Sequence, residues 1–282
     1  MAGVSACSLG HRHPKVISAI KSQLDQYLHV MVYGEYIQEK PLQLTKLLAS
    51  LLPASLETTY LTNSGTEAID GAIKLARRVT GRSQIISAHK AYHGNTMGAL
   101  SVMGYEERKQ PFLPLLPDVK FIEFNNEKHL SKITSKTAAV ILETIQGGAG
   151  FIEPTNNYLQ KVKAVCEKNG ALLILDEIQP GLGRTGKLFG FEHYNCVPDI
   201  LVTGKGLGGG LPIGAFTASK EMMNSLSVNP KLGHITTFGG HPVSCAASLA
   251  GLNVILDEDL LSRANIAGEL FESLLKPVEK IK

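Results

Sequence analysis

Asp176 closes the apolar run Ala-Leu-Leu-Ile-Leu at 171–175, and Lys205 follows Asp-Ile-Leu-Val-Thr-Gly at 199–204. Both runs read as buried strands. A carboxylate at the end of such a strand is costly unless it meets a cation or hydrogen-bond donors. The carboxyl ends of strands are also where open α/β sheets place their ligands. Lys205 sits inside the glycine-rich turn Gly204-Lys-Gly-Leu-Gly-Gly-Gly. Glycines there let a flat ligand approach the backbone closely, and a lysine amine in a pocket can attack a carbonyl. A third group lies upstream. Ser64-Gly65-Thr66 follows the short strand 58–61 and opens a helix. The free N–H groups and positive dipole end of a helix start bind phosphate. The Thr66 hydroxyl can add a bond, while Glu67 must point elsewhere.

One ligand asks for all three. Pyridoxal 5'-phosphate needs a carboxylate to keep its ring nitrogen protonated, a lysine to form a Schiff base, and a cup for its phosphate. Each residue also has a plainer reading. Lys205 alone would serve as a solvated turn lysine, and Ser64-Gly65-Thr66 as an ordinary helix cap. Tyr92 would be core, and Glu143 a satisfied strand-end carboxylate. It is Asp176 together with Lys205 that favours the chemical reading. Three other patterns are rejected. Gly181-Leu-Gly-Arg-Thr-Gly-Lys187 approaches a nucleotide-binding loop, but Leu188 stands where a magnesium-holding hydroxyl belongs. His89 and His93 are four apart without a metalloprotease glutamate. His11 and His13 flank Arg12 in what reads as a structural turn. No metal site is expected.

The elements that must position these residues alternate helix and strand. Helices are expected at 14–29, 41–52, 65–79, 156–169, 241–256 and 260–275. Strands are expected at 58–61, 84–87, 119–124, 138–143, 171–176, 199–203 and 213–218. In the helix from 65, Ala68, Ala72, Leu75, Ala76 and Val79 follow helical spacing, and its alanines let it lie close on a sheet. Continuous rather than alternating apolar strands imply burial on both faces. The fold class is therefore α/β, with a mainly parallel central sheet covered by helices.

Composition sets the outer bounds. The 282 residues are 44% hydrophobic and 19% charged, with a net charge of +3 and no basic run, which argues against a nucleic-acid surface. No apolar run approaches the length of a membrane span, and the first residues lack the pattern of a signal peptide. Cys7, Cys166, Cys196 and Cys245 form no Cys-X-X-Cys pair, as expected of reduced thiols in a cytoplasmic protein.

Taken in order, Gly-His-Arg-His-Pro at 10–14, Asn-Ser-Gly-Thr-Glu-Ala at 63–68, Tyr-His-Gly at 92–94, Asp-Glu-Ile-Gln at 176–179, Lys205 and Thr-Thr-Phe-Gly-Gly-His-Pro at 236–242 resemble the class III aminotransferases. These are pyridoxal-phosphate enzymes of fold type I, and they include acetylornithine, ornithine and 4-aminobutyrate aminotransferases. The resemblance covers nearly the whole chain. It implies Lys205 as the Schiff-base lysine and Asp176 as the partner of the ring nitrogen. Ile178 and Tyr92 would lie on opposite ring faces, with His93 beside Tyr92 in the cofactor site and Gln179 near the ring hydroxyl. Ser64, Gly65 and Thr66 would form the phosphate cup. Thr237 would reach the phosphate of a partner subunit in a homodimer, and Glu143 would be an active-site glutamate near Gln179. Two positions depart from the family's pattern. Asn95 stands where acetylornithine and ornithine enzymes carry an arginine that grips the substrate α-carboxylate. Gly148 stands where many relatives carry a second glutamate.

The expected activity is transamination, moving an amino group from an amino acid or amine to a 2-oxo acid. The alternatives are other class III chemistry (an aminomutase, racemase or decarboxylase) and a non-catalytic scaffold of the same fold. The chain reads as truncated at both ends. Residues 1–35 would be an N-terminal arm, 36–258 the large cofactor-binding domain, and 259–282 a helix leading to a small domain.

Overall fold

The computed structural model describes residues 2–31 and 34–278. Seven strands, β1 (Thr58–Thr62), β2 (Gln84–Ala88), β3 (Val119–Ile122), β4 (Thr137–Glu143), β5 (Leu172–Asp176), β6 (Ile200–Gly204) and β7 (Gly214–Ala218), form one sheet in the order β1-β7-β6-β5-β4-β2-β3. Strands β3, β2, β4, β5 and β6 run parallel, and β7 is antiparallel to both its neighbours. There are six longer helices, α1 (Pro14–Leu24), α2 (Glu39–Leu51), α3 (Gly65–Thr80), α4 (Tyr158–Asn169), α5 (Pro242–Asp257) and α6 (Leu260–Leu275), of which α1 and α6 pack chiefly on α5. This is the α/β class that the apolar strands imply. The main difference is in α1, expected to run to 29 but ending at Leu24. There the buried Gln23 side chain donates to the Tyr27 carbonyl at 3.0 Å and holds a turn in place of a further helical repeat.

Strand parity sorts the core into two layers. Val140 and Leu142 of β4, with Leu173 and Leu175 of β5, pack with α2, α4 and α5. Ala139 and Ile141, with Ile174, Ile200 and Val202, pack under α3. Helix α3 lies close because Ala68, Ala72 and Ala76 are fully buried and Gly71 leaves no side chain between its backbone and the Phe216 ring. It starts at Ser64, whose hydroxyl accepts from Glu67 N, and stops at Gly81, which takes the left-handed conformation at φ 66° that glycine tolerates best. Because side chains alternate along a strand, Glu143 continues the parity of Ile141, and Asp176 that of Ile174. Both strand-end carboxylates therefore rise on the α3 side, and Glu143 pairs directly with Asp176 across β4 and β5. Glu177, one residue further, falls on the other side.

Candidate active site

A cavity of about 510 Å³ opens at the carboxyl ends of the central strands. It is lined by Gly65, Thr66, Tyr92, His93, Glu143, Asp176, Ile178, Gln179 and Lys205, together with Val4, Gly94, Asn95, Gly147, Gly148 and Pro180. Nine of the eleven expected site residues thus meet in one place. Ser64 is not on the cavity wall, since its hydroxyl caps α3. Thr237 is exposed and lies outside it.

Asp176 is 3% exposed and well supplied with donors. Ile178 N donates to Oδ1 at 2.9 Å, and His93 Nδ1 lies 2.8 Å from Oδ2. A carboxylate only accepts, so Nδ1 carries the hydrogen of that bond. The other ring nitrogen, Nε2, is buried without a hydrogen-bond partner among the described residues. Lys205 begins the turn after β6, at φ 43°. A non-glycine residue seldom takes that conformation, which clusters at functional sites.

At the start of α3, Glu67 N is taken by Ser64 Oγ and Ala68 N by the Ser64 carbonyl. Among the described residues, that leaves the N–H groups of Gly65 and Thr66, both wall residues, as the unclaimed first-turn donors of the helix. Glu67 turns away, accepting from Asn63 N at 2.7 Å and from its side chain at 3.0 Å. Thr66 Oγ1 accepts from Asn95 N and Thr96 N at 3.1 and 3.0 Å, which pins the loop carrying Tyr92 to the helix start. Two wall glycines are demanded by packing. A Cβ on Gly65 would stand 2.6 Å from Ile178 Cδ1, and one on Gly147 would overlap the Gln179 amide.

Glu143 is nearly buried, and burial pushes its carboxyl up to about 7; Asp176 adds to the rise, while His93 and the N–H groups of Tyr92 and Gly147 oppose it. Burial also raises Glu177 to about 7, against Thr144, Gly190 and Phe191, which all donate to it. Glu177 is a structural anchor beneath the site. Its sequence signal was its position beside Asp176, which strand alternation sends to the opposite face. The need for glycine at 147 left no local signal, because the Gln179 amide that demands it comes from a different strand end.

The class-III aminotransferase family model matches residues 1–282. The chain belongs to this family, whose reaction is pyridoxal-phosphate-dependent transamination. It is 39% identical over its whole length to an acetylornithine aminotransferase of Methanopyrus kandleri, of which it covers 71%. An ornithine aminotransferase of Toxoplasma gondii, crystallised with partial occupancy of pyridoxal phosphate at its active site, superposes with a TM-score of 0.90 at 32% identity; 98% of this chain and 66% of that one are covered. An (S)-enantioselective omega-transaminase from Thermomicrobium roseum gives 0.93 at 31% identity, covering 99% and 69%. The chain thus spans about two thirds of the length of these relatives.

The wall residues fit the family's cofactor. They offer a doubly supported carboxylate, a helix start with two unclaimed N–H groups, an amine, an aromatic ring, an aliphatic side chain and an amide, all on one cavity. No described helix is long and apolar enough to cross a membrane.

Proposed function

We propose that this cavity is the amino-transfer site, with Lys205 as the residue that holds pyridoxal phosphate covalently and Asp176 as the partner of its ring nitrogen. The observation that carries the reading is the convergence of Lys205, Asp176 and the Gly65–Thr66 helix start on one 510 Å³ cavity. Asp176, steadied by His93 and Ile178 N, would keep the ring nitrogen protonated, and the N–H groups of Gly65 and Thr66 would hold the phosphate. Tyr92 and Ile178 would flank the ring, and Gln179 would sit near its hydroxyl. When bound, the cofactor supplies an electron-withdrawing ring that acidifies the hydrogen on the donor's amino-bearing carbon. The Lys205 Nζ amine, freed when the donor binds, would take up that proton and return it to the carbon on the other side of the nitrogen being transferred. A 2-oxo acid then receives the amino group by the same residues in reverse.

The donor is an amino acid or an amine. Asn95 presents an amide whose Nδ2 donates to the Tyr92 hydroxyl at 3.0 Å, so position 95 offers no guanidinium fork for a carboxylate. This favours donors like those of an omega-transaminase over an ornithine-type donor. A homodimer completes the reading, with Thr237 serving the phosphate of a second copy. Its support is an exposed apolar segment around Thr237, in which Leu232, Ile235 and Phe238 face solvent, beside a 640 Å³ hollow lined by Tyr36, Tyr60 and Ile235 among others. Residues 36–258 would form the cofactor-binding unit. Helix α6 buries none of its residues and leaves Leu270, Phe271 and Leu274 exposed, in keeping with a lead-in to a further domain. Four free thiols support a reducing, cytoplasmic setting.

The test is a donor screen on cofactor-loaded protein with pyruvate or 2-oxoglutarate as acceptor, alongside cofactor retention on dilution. Amino transfer abolished by Lys205→Ala, with retention falling as oligomers dissociate, is expected. Release of carbon dioxide or racemised donor without net amino transfer would overturn it.

A further inference from the structure

Glu143 ends β4 between two loops that both line the cavity. The 89–96 loop carries Tyr92, His93 and Asn95; the 144–151 loop carries Gly147 and Gly148. Each carboxyl oxygen serves one of them: Tyr92 N donates to Oε2 at 3.0 Å, and Gly147 N donates to Oε1 at 3.2 Å. The loops are close neighbours there, since a Cβ on Gly148 would lie 3.6 Å from Tyr92 Cβ. A second tie runs alongside, from Gln146 Nε2 to the His89 carbonyl at 3.1 Å, and the 144–151 loop is itself closed by a bridge between Gln146 and Ile152.

We infer that Glu143 is a positioning residue, a buried two-armed clamp that joins the Tyr92 loop to the Gly147 loop and so fixes the part of the cavity wall that carries Tyr92. This rests on the reading of that cavity as the amino-transfer site. The geometry requires a group that only accepts. Two N–H donors arrive from different chain segments on two different oxygens, and a carboxylate satisfies both. A glutamine would turn its NH2 toward one of them, and so keeps one arm and loses the other. The titratable groups facing it are Asp176 at the end of β5 and His93 on the 89–96 loop, with Lys205 and the Tyr92 phenol on the same wall. The Gln146–His89 tie remains when Glu143 is replaced, so the variants keep their fold while the cavity loosens.

The experiment compares full-length, cofactor-loaded protein with its Glu143→Gln and Glu143→Ala variants by residue-resolved amide hydrogen exchange and by donor kinetics. In Glu143→Ala, exchange at Tyr92 and Gly147 should quicken about tenfold or more. In Glu143→Gln, one of the two amides should quicken and the other stay protected. KM for the donor should rise by a larger factor than kcat falls, with Ala worse than Gln. Unchanged exchange at both amides in Glu143→Ala, or kcat lost equally in both variants at constant KM, would overturn the clamp and leave a proton-moving role. The exchange readout does not depend on turnover. Protein inactive with every donor would therefore sink the amino-transfer reading and still decide the clamp.

Discussion

Replacing Asp176 with asparagine separates the packing role of that side chain from its charge. The amide oxygen keeps the bond from Ile178 N, 2.9 Å away. The amide NH2 then faces His93 Nδ1 at about the distance of the present contact, 2.8 Å, and becomes the donor. His93 must move its hydrogen to Nε2, the atom that now has no partner. One charge-assisted bond becomes a neutral one, at a cost of about 1–1.5 kcal/mol, so the cofactor-free protein should melt only a few degrees lower. The loaded protein loses more. Taking one partner from a buried ionic pair costs about 3–5 kcal/mol, which is roughly two to three and a half orders of magnitude in rate if it falls on the transition state. Single-turnover amino transfer, with melting curves recorded with and without cofactor, measures both parts. Turnover within tenfold of the parent, in a variant that still binds cofactor, would refute the assignment of Asp176 to the ring nitrogen. A variant that fails to fold would show that the His93–Asp176 contact holds the site together beyond its electrostatic role.

Lys205→Ala should abolish covalent retention of the cofactor; borohydride reduction of the parent protein followed by peptide mass spectrometry should find the pyridoxyl mass on Lys205, and its appearance on another lysine would overturn that assignment. Asn95→Arg should raise kcat/KM for α-amino acids about tenfold or more through a charge-assisted pair, and an unchanged donor preference in a folded variant would show that another residue already grips the carboxylate. Stability should fall between pH 5 and 8. Burial lifts Glu143 and Glu177 from 4.5 to about 7, so the folded state holds these protons more tightly than the unfolded chain. The stability they contribute is therefore complete below about 4.5 and is lost as pH rises through 7, on the order of 3 kcal/mol for each. Urea unfolding across that range measures the slope, and a slope unaltered by Glu177→Gln would show that Glu177 does not titrate there.

The strands were legible because a parallel sheet buried on both faces writes itself as continuous apolar runs. Expected and observed limits of β4 to β7 differ by no more than one residue at either end. The reversal of β7 was open to the same reading. β6 ends at Gly204 and β7 begins at Gly214, and so short a connection cannot make a parallel crossover, which takes a dozen residues or more. The end of α1 was hidden, because it depends on a glutamine side chain that leaves solvent to hold a turn. In the site, Asp176, Lys205 and the α3 start could be read from local pattern, since each ends a strand or opens a helix. Their neighbours could not. His93 reaches Asp176 across 83 positions, and Glu143 reaches Tyr92 N across 51, distances over which no spacing rule operates.

The two acidic residues that follow Leu175 show how one rule of geometry divides labour. Asp176 and Glu177 are adjacent, of the same charge and both nearly or wholly buried, so composition treats them alike. The strand sends them to opposite sides. Asp176 emerges on the α3 side, where the cavity lies and His93 meets it. Glu177 descends among Thr144, Gly190 and Phe191, whose three bonds occupy both its oxygens. Gly181 and Gly190 leave it room, for a Cβ on either would press against the carboxylate at about 3.1–3.3 Å. One carboxyl is thus kept available to a ligand while its neighbour ties down the loop from 180 to 191. The same alternation puts Glu143 beside Asp176 at the next strand end. The sheet therefore delivers two carboxyls to the cavity floor and holds a third beneath it, and the donors around each decide which can act on a ligand and which can only hold the chain.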